Sequence, residues 1–249
     1  LYDNALLIDL MTEVWRETQS PLLKARIAET VAWLEREMIA DGGAFASALD
    51  ADSEGEEGKF YVWTPDEIEA VLGAEDAAVF GKAYGVTPEG NFEGHTILNR
   101  LHVKELGPAD EEARLAGLRE KLFAERAKRI RPGWDDKVLA DWNGLMIGAL
   151  ARAGVVFDRP SWVTAARRAF TFVVEEMTVS GRLLHATRHG KGRAPATAGD
   201  YANMIWAALR LHQATGEPED LHHALHWVDI LDAHYWAEGA GGYFTAADD

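Results

Sequence analysis

Residues 141–146 read Asp141-Trp142-Asn143-Gly144-Leu145-Met146 and open a helical pattern whose apolar positions recur at spacings of three and four. Two other segments share this register, with a polar and aromatic start followed by apolar residues: Tyr2-Asp3-Asn4-Ala5-Leu6-Leu7 and Asp200-Tyr201-Ala202-Asn203-Met204-Ile205. Each segment begins a helix that a short turn with proline joins to a second amphipathic helix. The sequence therefore predicts three helix hairpins.

The spacing of these segments indicates a repeat with one long insertion. Asn4 and Asn143 are 139 residues apart, whereas Asp141 and Asp200 are 59 residues apart. One repeat is therefore about 59 residues long, and the first contains about 80 extra residues, which lie roughly at 53–131. Repeated helix pairs bury their apolar faces by stacking, either as an open solenoid or as a closed ring. We expect an all-α fold in which residues 1–249 form a single domain.

The inserted residues also contain signals of regular structure. We expect two strands, Phe45–Leu49 and Phe60–Trp63, on either side of an acidic loop. Thr64-Pro65 follows as a helix N-cap with proline at the first helical position. The predicted helices of the insertion are 65–72, 75–83 and 111–129. The insertion is therefore expected to be ordered.

Composition narrows the classes of function. The 249 residues include 25 basic and 41 acidic side chains, a net charge of -16, which disfavours nucleic acid as a partner. No apolar run approaches the roughly 20 residues of a membrane-spanning helix. The lack of cysteine fits a cytoplasmic protein. The sequence carries no phosphate-binding glycine motif, zinc-protease motif or nucleophile elbow, and we predict no cofactor and no metal. His222, His226 and Asp229 have a spacing compatible with a metal, but we expect them to be surface or packing residues. Because the chain begins at Leu1, we expect it to be a piece of a longer protein.

The connections between helices indicate one candidate functional face. Turns within each hairpin are short, whereas those between hairpins are long and polar, so the long loops lie on one face, here called the rim. The first helix of each hairpin begins there, and its free N–H groups favour anions and hydroxyl oxygens. Rim carboxylates can divide general acid and base work, and a histidine can carry a proton. The predicted catalytic residues are Asp50, Asp52, Asp135, Asp136, Asp141 and His185.

A second group of rim residues is predicted to bind a ligand. Aromatic rings supply flat apolar faces for the C–H side of a sugar, and polar side chains beside them supply hydrogen bonds. The predicted binding residues are Tyr2, Asp3, Asn4, Trp63, Trp142, Asn143, Asp200 and Tyr201.

Each of these patterns also has a purely structural interpretation. The segment from Asp50 to Tyr61 begins like a calcium loop, but Tyr61 stands where a bidentate glutamate is required. The segment is therefore a calcium loop, a solvated hairpin tip or a loop that carries carboxylates over a pocket. Asp135 or Asp136 would serve as the N-cap of the following helix. His185 would be a solvated loop residue, and most of the nine tryptophans would lie in the core.

Several segments together resemble one known family. They are Tyr2-Asp3-Asn4-Ala5-Leu6-Leu7, Ser47–Trp63, Asp135-Asp136-Lys137, Trp142-Asn143-Gly144-Leu145-Met146 and Asp200-Tyr201-Ala202. These look like signatures of the thioredoxin-domain-containing proteins related to spermatogenesis-associated protein. The resemblance covers essentially the whole chain and implies an α/α toroid of the six-hairpin glycosidase type, akin to N-acylglucosamine 2-epimerase, with about three of six hairpins present. It also implies a thioredoxin-like domain elsewhere in the longer protein.

Two functions are compatible with these observations. The first is a carbohydrate-binding or carbohydrate-processing toroid, like a glycosidase or an epimerase, whose rim carboxylates act on a small carbohydrate. The second is a non-catalytic scaffold that presents the acidic loop to a protein partner or docks a thioredoxin-like domain. The sequence does not decide whether the protein is an enzyme.

Overall fold

The computed structural model describes residues 1–103 and 105–249. These residues form two compact units, the first made of Leu1–Ala48 with Asp135–Asp249 and the second of Leu49–Trp134. A single domain with an insertion at 53–131 was expected from the sequence. The second unit covers nearly the same residues as that insertion and is described here by itself.

Helices dominate the described residues, and the strands are short. The helices are α1 (Tyr2–Thr18), α2 (Pro21–Glu37), α3 (Pro65–Leu72), α4 (Ala74–Tyr84), α5 (Ala109–Arg126), α6 (Ala140–Val156), α7 (Pro160–Glu176), α8 (Ala198–Thr215) and α9 (Pro218–His234). The strands are β1 (Ala48–Leu49), β2 (Asp52–Ser53), β3 (Glu56–Glu57), β4 (Trp134–Asp135), β5 (Val138–Leu139), β6 (Thr178–Val179), β7 (Arg182–Arg188), β8 (Lys191–Pro195), β9 (Trp236–Ala237) and β10 (Gly242–Tyr243). Within residues 1–103 and 105–249, no helix combines the length and the apolar character needed to cross a membrane.

The first unit contains the three predicted helix hairpins. α1 packs on α2, α6 on α7 and α8 on α9, while α6 also contacts both α1 and α8, so that the three first helices form a row. Each second helix begins with a proline, whose missing N–H is unpaired at a helix start in any case and whose fixed φ suits a helix. This row of hairpins is a partial α/α toroid, and the predicted fold class is confirmed.

Helix α6 is the centre of the first unit, with buried residues on nearly every side. Two glycines let α8 approach it closely. A Cβ added at Gly144 would lie 2.6 Å from the backbone carbonyl carbon of Asn203, and one added at Gly148 would lie 2.1 Å from the ring of Trp206. Any larger side chain at these positions would therefore push the two helices apart.

Strand β7 positions part of the rim beside α6. It pairs antiparallel with β6, β8 and β5, and Ala186 of β7 lies opposite Leu139 of β5. The turn between β6 and β7 has φ of 51° at Ser180 and 80° at Gly181, the two positive values of a type I′ hairpin turn. Because β5 runs directly into α6, this pairing holds β7 beside the first turn of that helix.

The second unit has a helical core of its own. Buried apolar side chains from α3, α4 and α5 pack around Trp63. The predicted cap at the start of α3 is present: the Thr64 hydroxyl accepts from the N–H of Glu67 (3.2 Å), and the Glu67 carboxylate accepts from the N–H of Thr64 (2.8 Å). The three helices predicted for the insertion are confirmed, with small shifts at their ends.

The hairpin formed by β2 and β3, here called the acidic hairpin, differs from its prediction. Strands were expected at Phe45–Leu49 and Phe60–Trp63, but within these ranges only Ala48–Leu49 is a strand (β1), and the hairpin is formed by β2 and β3, inside the acidic segment itself. Glu54 and Gly55 have φ of 56° and 79° and form a two-residue turn, which closes the hairpin at that point. Residues Phe60–Trp63 do not form a strand of the hairpin: Phe60, Val62 and Trp63 are buried, and Trp63 pairs instead in a single antiparallel bridge with Thr96.

Replacing Gly144 by alanine is expected to destabilise the first unit by about 1–3 kcal/mol, because the new methyl group meets the backbone of α8, which cannot rotate away. The matched control is Gly117→Ala in α5, where nothing lies within 4 Å of an added Cβ and alanine favours the helix. The measurement is the urea midpoint of each variant. Equal midpoints would show that the close approach of α6 and α8 does not limit packing.

Candidate functional site

Three titratable side chains meet on the rim of the first unit. Asp141 lies in the first turn of α6, Asp200 in the first turn of α8 and His185 in strand β7. One ligand atom from each of the three lies within 4.8 Å of the other two. All three were predicted as rim residues, and the structure brings them together in one group, here called the Asp-His cluster.

Asp200 is the buried member of the Asp-His cluster, with 0% of its surface exposed. One carboxylate oxygen accepts hydrogen bonds from the N–H and the hydroxyl of Thr197 (2.6 and 2.8 Å), which completes the capping box of α8. The other oxygen accepts from the N–H of Asp141 (3.0 Å). One carboxylate therefore joins the N-terminal turns of two helices.

His185 is oriented by the same carboxylate. Its Nδ1 lies 3.0 Å from both oxygens of Asp200, and its side chain is 35% exposed. A carboxylate beside Nδ1 favours the tautomer that carries its proton on that nitrogen, which leaves the lone pair of Nε2 for a ligand. The ring is thus arranged to accept a proton at Nε2.

Asp141 is the half-buried carboxyl group of the cluster. Burial raises the pKa of Asp141, and the negative charge of Asp200 raises it further. The N–H of Trp142 donates a hydrogen bond to Asp141 (2.8 Å), which opposes the shift in pKa without reversing it. A carboxyl group whose pKa is raised, beside a histidine whose Nε2 is left for a ligand, is a combination suited to acid–base catalysis.

An aromatic pair lies at the same end of the first unit. The ring centres of Trp142 in α6 and Tyr2 in α1 are 4.9 Å apart, with the rings tilted by 51°. Tyr2 is 40% exposed, Asp3 beside it is exposed and Asn4 is half-buried. The first turns of α1 and α6 therefore present an aromatic surface and polar groups next to the Asp-His cluster.

Two predicted binding residues lie beneath the site. Asn143 is fully buried: its amide oxygen accepts from the N–H of Phe45, and its amide nitrogen donates to the carbonyls of Phe45 and Leu139, all at 2.9 Å. Tyr201 is also fully buried, and its hydroxyl accepts from the N–H of Leu183 (3.0 Å). Neither side chain is open to a ligand, so their expected binding role is corrected to a structural one.

Asp135 and Asp136 do not cap a helix. Asp135 forms an ion pair with Lys137, and Asp136 lies 2.5 Å from Nε of Arg188 and 3.4 Å from Nε2 of His189. Helix α6 begins without a side-chain cap, after strand β5. The N-cap prediction was wrong because this strand separates the two aspartates from the helix.

The remaining predicted site residues belong to the second unit. Asp50 and Asp52 are exposed, and an oxygen of Asp50 accepts from the N–H of Asp52 (3.1 Å), which closes a turn at the start of the acidic hairpin. Trp63 is 3% exposed, and the guanidinium of Arg129 lies 4.2 Å from its ring centre. Trp63 is therefore a core residue, which corrects its expected role as a ring that stacks on a sugar.

Three residues that hold the rim together were not predicted. They are Thr197, Lys137 and Arg188. The spacing Thr197-Ala198-Gly199-Asp200 is a capping-box pattern and could have identified the first of them. The partners of Asp135 and Asp136 depend on turn geometry and on the register of β7, which no local motif encodes.

The Asp-His cluster also has the composition of a metal site. One imidazole nitrogen and two carboxylates within 4.8 Å would suit a divalent transition metal. Nδ1 of His185 is hydrogen-bonded to Asp200, so a metal would have to replace that contact. A second group of this composition, His234 with Asp248 and Asp249, lies at the end of the described residues.

The fold and the cluster define a protein of helix hairpins with a group of two aspartates and a histidine on its rim. Among curated proteins, the chain is 32% identical to spermatogenesis-associated protein 20 of Homo sapiens and 30% identical to that of Rattus norvegicus, each over 99% of the chain. It spans 37% and 36% of those relatives. No family model matches. The relatives agree with the resemblance seen in the motifs, while the thioredoxin-like domain stays a prediction.

Some solved structures are similar at low identity. They are D-mannose isomerase (13% identity, TM-score 0.45, 98% of this chain and 61% of that one), cellobiose 2-epimerase from Bacillus thermoamylovorans (12%, 0.42, 98% and 62%) and a family 105 glycoside hydrolase from C. acetobutylicum (12%, 0.41, 100% and 64%). Likenesses this distant do not assign a function to this chain.

Replacing Asn143 by alanine is expected to lower the free energy of unfolding by about 1–3 kcal/mol for each buried polar group of Phe45 that loses its partner. The matched control is Asn4→Ala, at the equivalent position of the first repeat, which makes no such hydrogen bond among the described residues. Urea unfolding measures both changes. Similar losses in the two variants would contradict a structural role that is special to Asn143.

The raised pKa of Asp141 predicts a pH-dependent stability. A carboxyl whose pKa is higher in the folded state binds its proton more tightly there, so the folded state loses stability as pH rises above the unfolded value of 3.8 and through the folded value. Asp141→Asn removes this loss, and its stability relative to the native chain should increase as pH is raised. Urea midpoints at several pH values, with exposed Asp52→Asn as the control, test this. A difference that does not vary with pH would contradict it.

Proposed function

We propose that the rim of the first unit binds a small carbohydrate and moves protons on it, as a sugar epimerase or a glycosidase does. The observation that carries the proposal is the Asp-His cluster. In it, a carboxyl group with a raised pKa and a histidine oriented by a buried carboxylate lie within 4.8 Å of each other. An acid and a base at this spacing can supply one proton and remove another on the same small substrate.

The three side chains have different proposed roles. Nε2 of His185 takes up a proton from the substrate, and Asp141 supplies one. Asp200 holds the imidazole by Nδ1 and stabilises the positive charge that forms on it, so it is a positioning residue. No cofactor is needed for this proton exchange.

The burial of Asp200 favours epimerase-like over glycosidase-like chemistry. Glycoside hydrolysis uses two carboxyl groups that both reach the scissile bond. Asp200 is fully buried and already accepts hydrogen bonds from Thr197, Asp141 and His185, so it is not free to act as a second catalytic carboxylate. One accessible acid and one accessible base suffice for proton exchange at a carbon next to a carbonyl.

The surroundings of the cluster also suit a sugar. Tyr2 offers an exposed ring beside Trp142, and sugars pack the apolar side of their rings against aromatic faces. The exposed carboxylate of Asp3 is available to hydroxyl groups. The first turns of α1, α6 and α8 contribute N–H groups at the same end of the unit.

We also propose that this chain belongs to a longer cytoplasmic protein with a thioredoxin-like domain. The motif resemblance supports this, and so does the chain's coverage of 37% of its human relative. Because the chain has no cysteine, any thiol chemistry of that longer protein would lie outside these residues.

A non-catalytic scaffold is the second candidate, and one observation favours it. Helix α1 exposes an apolar stripe whose side chains are 42–60% accessible. Its members are Leu6, Leu7, Leu10 and Val14. A thioredoxin-like domain or another protein could cover this stripe, in which case the rim contacts would serve the fold alone.

The catalytic proposal predicts exchange of deuterium from D2O into a sugar. The chain, alone and within the longer protein, is incubated with a panel of aldoses, ketoses and disaccharides, and NMR follows loss of the signal from the hydrogen next to the carbonyl. His185→Gln and Asp141→Asn are each expected to lower the exchange rate by at least about 100-fold. His222→Gln, at an exposed position of α9, is the matched control and should leave the rate unchanged.

Binding measured on the same panel separates the alternatives. Saturable binding that His185→Gln weakens, without exchange, would reduce the proposal to carbohydrate binding. Neither binding nor exchange in a folded chain would count against it and favour the scaffold. Single Asp50→Asn and Asp52→Asn variants test whether the acidic hairpin of the second unit takes part.

A further inference from the structure

Two buried tyrosines bind the backbone segments that lead into the Asp-His cluster. Tyr201 in α8 and Tyr235 directly after α9 are 0% and 1% exposed, and their ring centres are 5.6 Å apart. The hydroxyl of Tyr201 accepts from the N–H of Leu183 (3.0 Å), and the hydroxyl of Tyr235 donates to the carbonyl of Ala196 (2.6 Å). We call these two residues the tyrosine pair.

The two backbone groups held by the tyrosine pair lie close to the cluster along the chain. Leu183 lies two residues before His185 in β7. Ala196 directly precedes Thr197, whose hydroxyl donates to Asp200 (2.8 Å). The N–H of Ala196 also donates to the carbonyl of Leu183 (3.0 Å), so the two held points are joined to each other. A displacement at either point would therefore be passed to the cluster.

The contact of Tyr201 also fixes which face of β7 meets the helices. Leu183 and Thr187 are 1% and 4% exposed, and alternate residues of a strand share a face, so His185 lies on this buried face. A shift of β7 by one residue would turn His185 to the opposite face. Because Tyr201 follows Asp200 in the first turn of α8, consecutive residues of one helix turn bind β7 at positions two residues apart.

Strand β8 gives β7 less support than the tyrosine pair does. Every residue of β8, from Lys191 to Pro195, is exposed, so water competes for the hydrogen bonds of this ladder. The N–H of Leu183, in contrast, belongs to a buried residue, and its acceptor is the hydroxyl of Tyr201. Buried N–H groups seldom stay unpaired, so without this hydroxyl we expect β7 to move toward another acceptor.

We propose that Tyr201 and Tyr235 are positioning residues that set the contact between Nδ1 of His185 and the carboxylate of Asp200. A displacement of about 1 Å at a catalytic group can lower a rate by roughly 100-fold, so this contact decides how well Nε2 of His185 meets a substrate. The effect on catalysis rests on the function proposed for the rim. The effect on His185 itself does not, because it can be measured without a substrate.

The test is NMR of the isotope-labelled full chain, which distinguishes the two neutral tautomers of His185 at a pH where the ring carries no charge. The native chain is expected to show the tautomer with its proton on Nδ1. Tyr201→Phe should lower the ratio of this tautomer to the other about tenfold, because the hydrogen bond to Asp200 weakens when it is misaligned. Deuterium exchange into a sugar should slow by roughly 10–100-fold, with a smaller change in KM.

The matched control is Tyr84→Phe in the second unit. Tyr84 is 8% exposed, and its hydroxyl accepts from a terminal nitrogen of Arg119 (2.7 Å). This variant loses a buried tyrosine hydroxyl of the same kind, but it should leave the tautomer of His185 and the exchange rate unchanged. Circular dichroism checks that each variant is folded.

Two results would overturn the proposal. They are a folded Tyr201→Phe with the native tautomer ratio, and an equal change of that ratio in Tyr84→Phe. If Tyr201→Phe does not fold, Tyr235→Phe takes its place with the same expected change, passed through Ala196 and Thr197. A native chain without exchange, whose tautomer ratio nevertheless falls in Tyr201→Phe, would contradict the function proposed for the rim and support the positioning of His185.

Discussion

A single buried carboxylate connects the fold of the first unit to its candidate site. Asp200 accepts hydrogen bonds from the first turn of its own helix, from the first turn of α6 and from His185. Because Asp200 is itself fully buried, these donors satisfy a carboxylate that could not otherwise remain charged there. The rim is therefore not a separate addition to the helix row. Its geometry is fixed by the same contacts that join α6 to α8.

The sequence repeat explains why Asp141 and Asp200 lie close together. Their neighbours explain why the two carboxylates have different hydrogen-bond partners. Asp141 and Asp200 are 59 residues apart and stand in the same register of successive repeats, so both lie in the first turns of adjacent helices. Thr197 and His185 provide donors to Asp200, whereas Asp141 accepts from the N–H of Trp142 and lies next to a second negative charge. Equivalent positions of the repeat thus acquire different hydrogen-bond partners and different exposure.

Much of the fold could be predicted from the sequence because it depends on local signals. Three such signals are visible in the sequence: the spacing of apolar residues, the proline at the start of each second helix, and the repeat register that Asp141 and Asp200 share. Contacts between residues far apart in the sequence could not be predicted from such local signals. The ion pair of Asp136 with Arg188 depends on β7, and the burial of Asn143 depends on Phe45, which is 98 residues away in the sequence. Residue types on the rim could be named in advance, but burial decided which of them can meet a ligand.

Ser47 holds together the two places where the chain leaves and re-enters the first unit. Its N–H donates to the carbonyl of Asp135 (3.1 Å) and its hydroxyl to that of Lys137 (2.8 Å). The residues between them, 49–134, therefore begin and end at neighbouring points of the first unit, as in domains that tolerate insertion. This junction is a site at which one inserted segment can be replaced by another. Evolution, or a protein engineer, can replace what is attached there while leaving the contacts among α1, α6 and α8 intact.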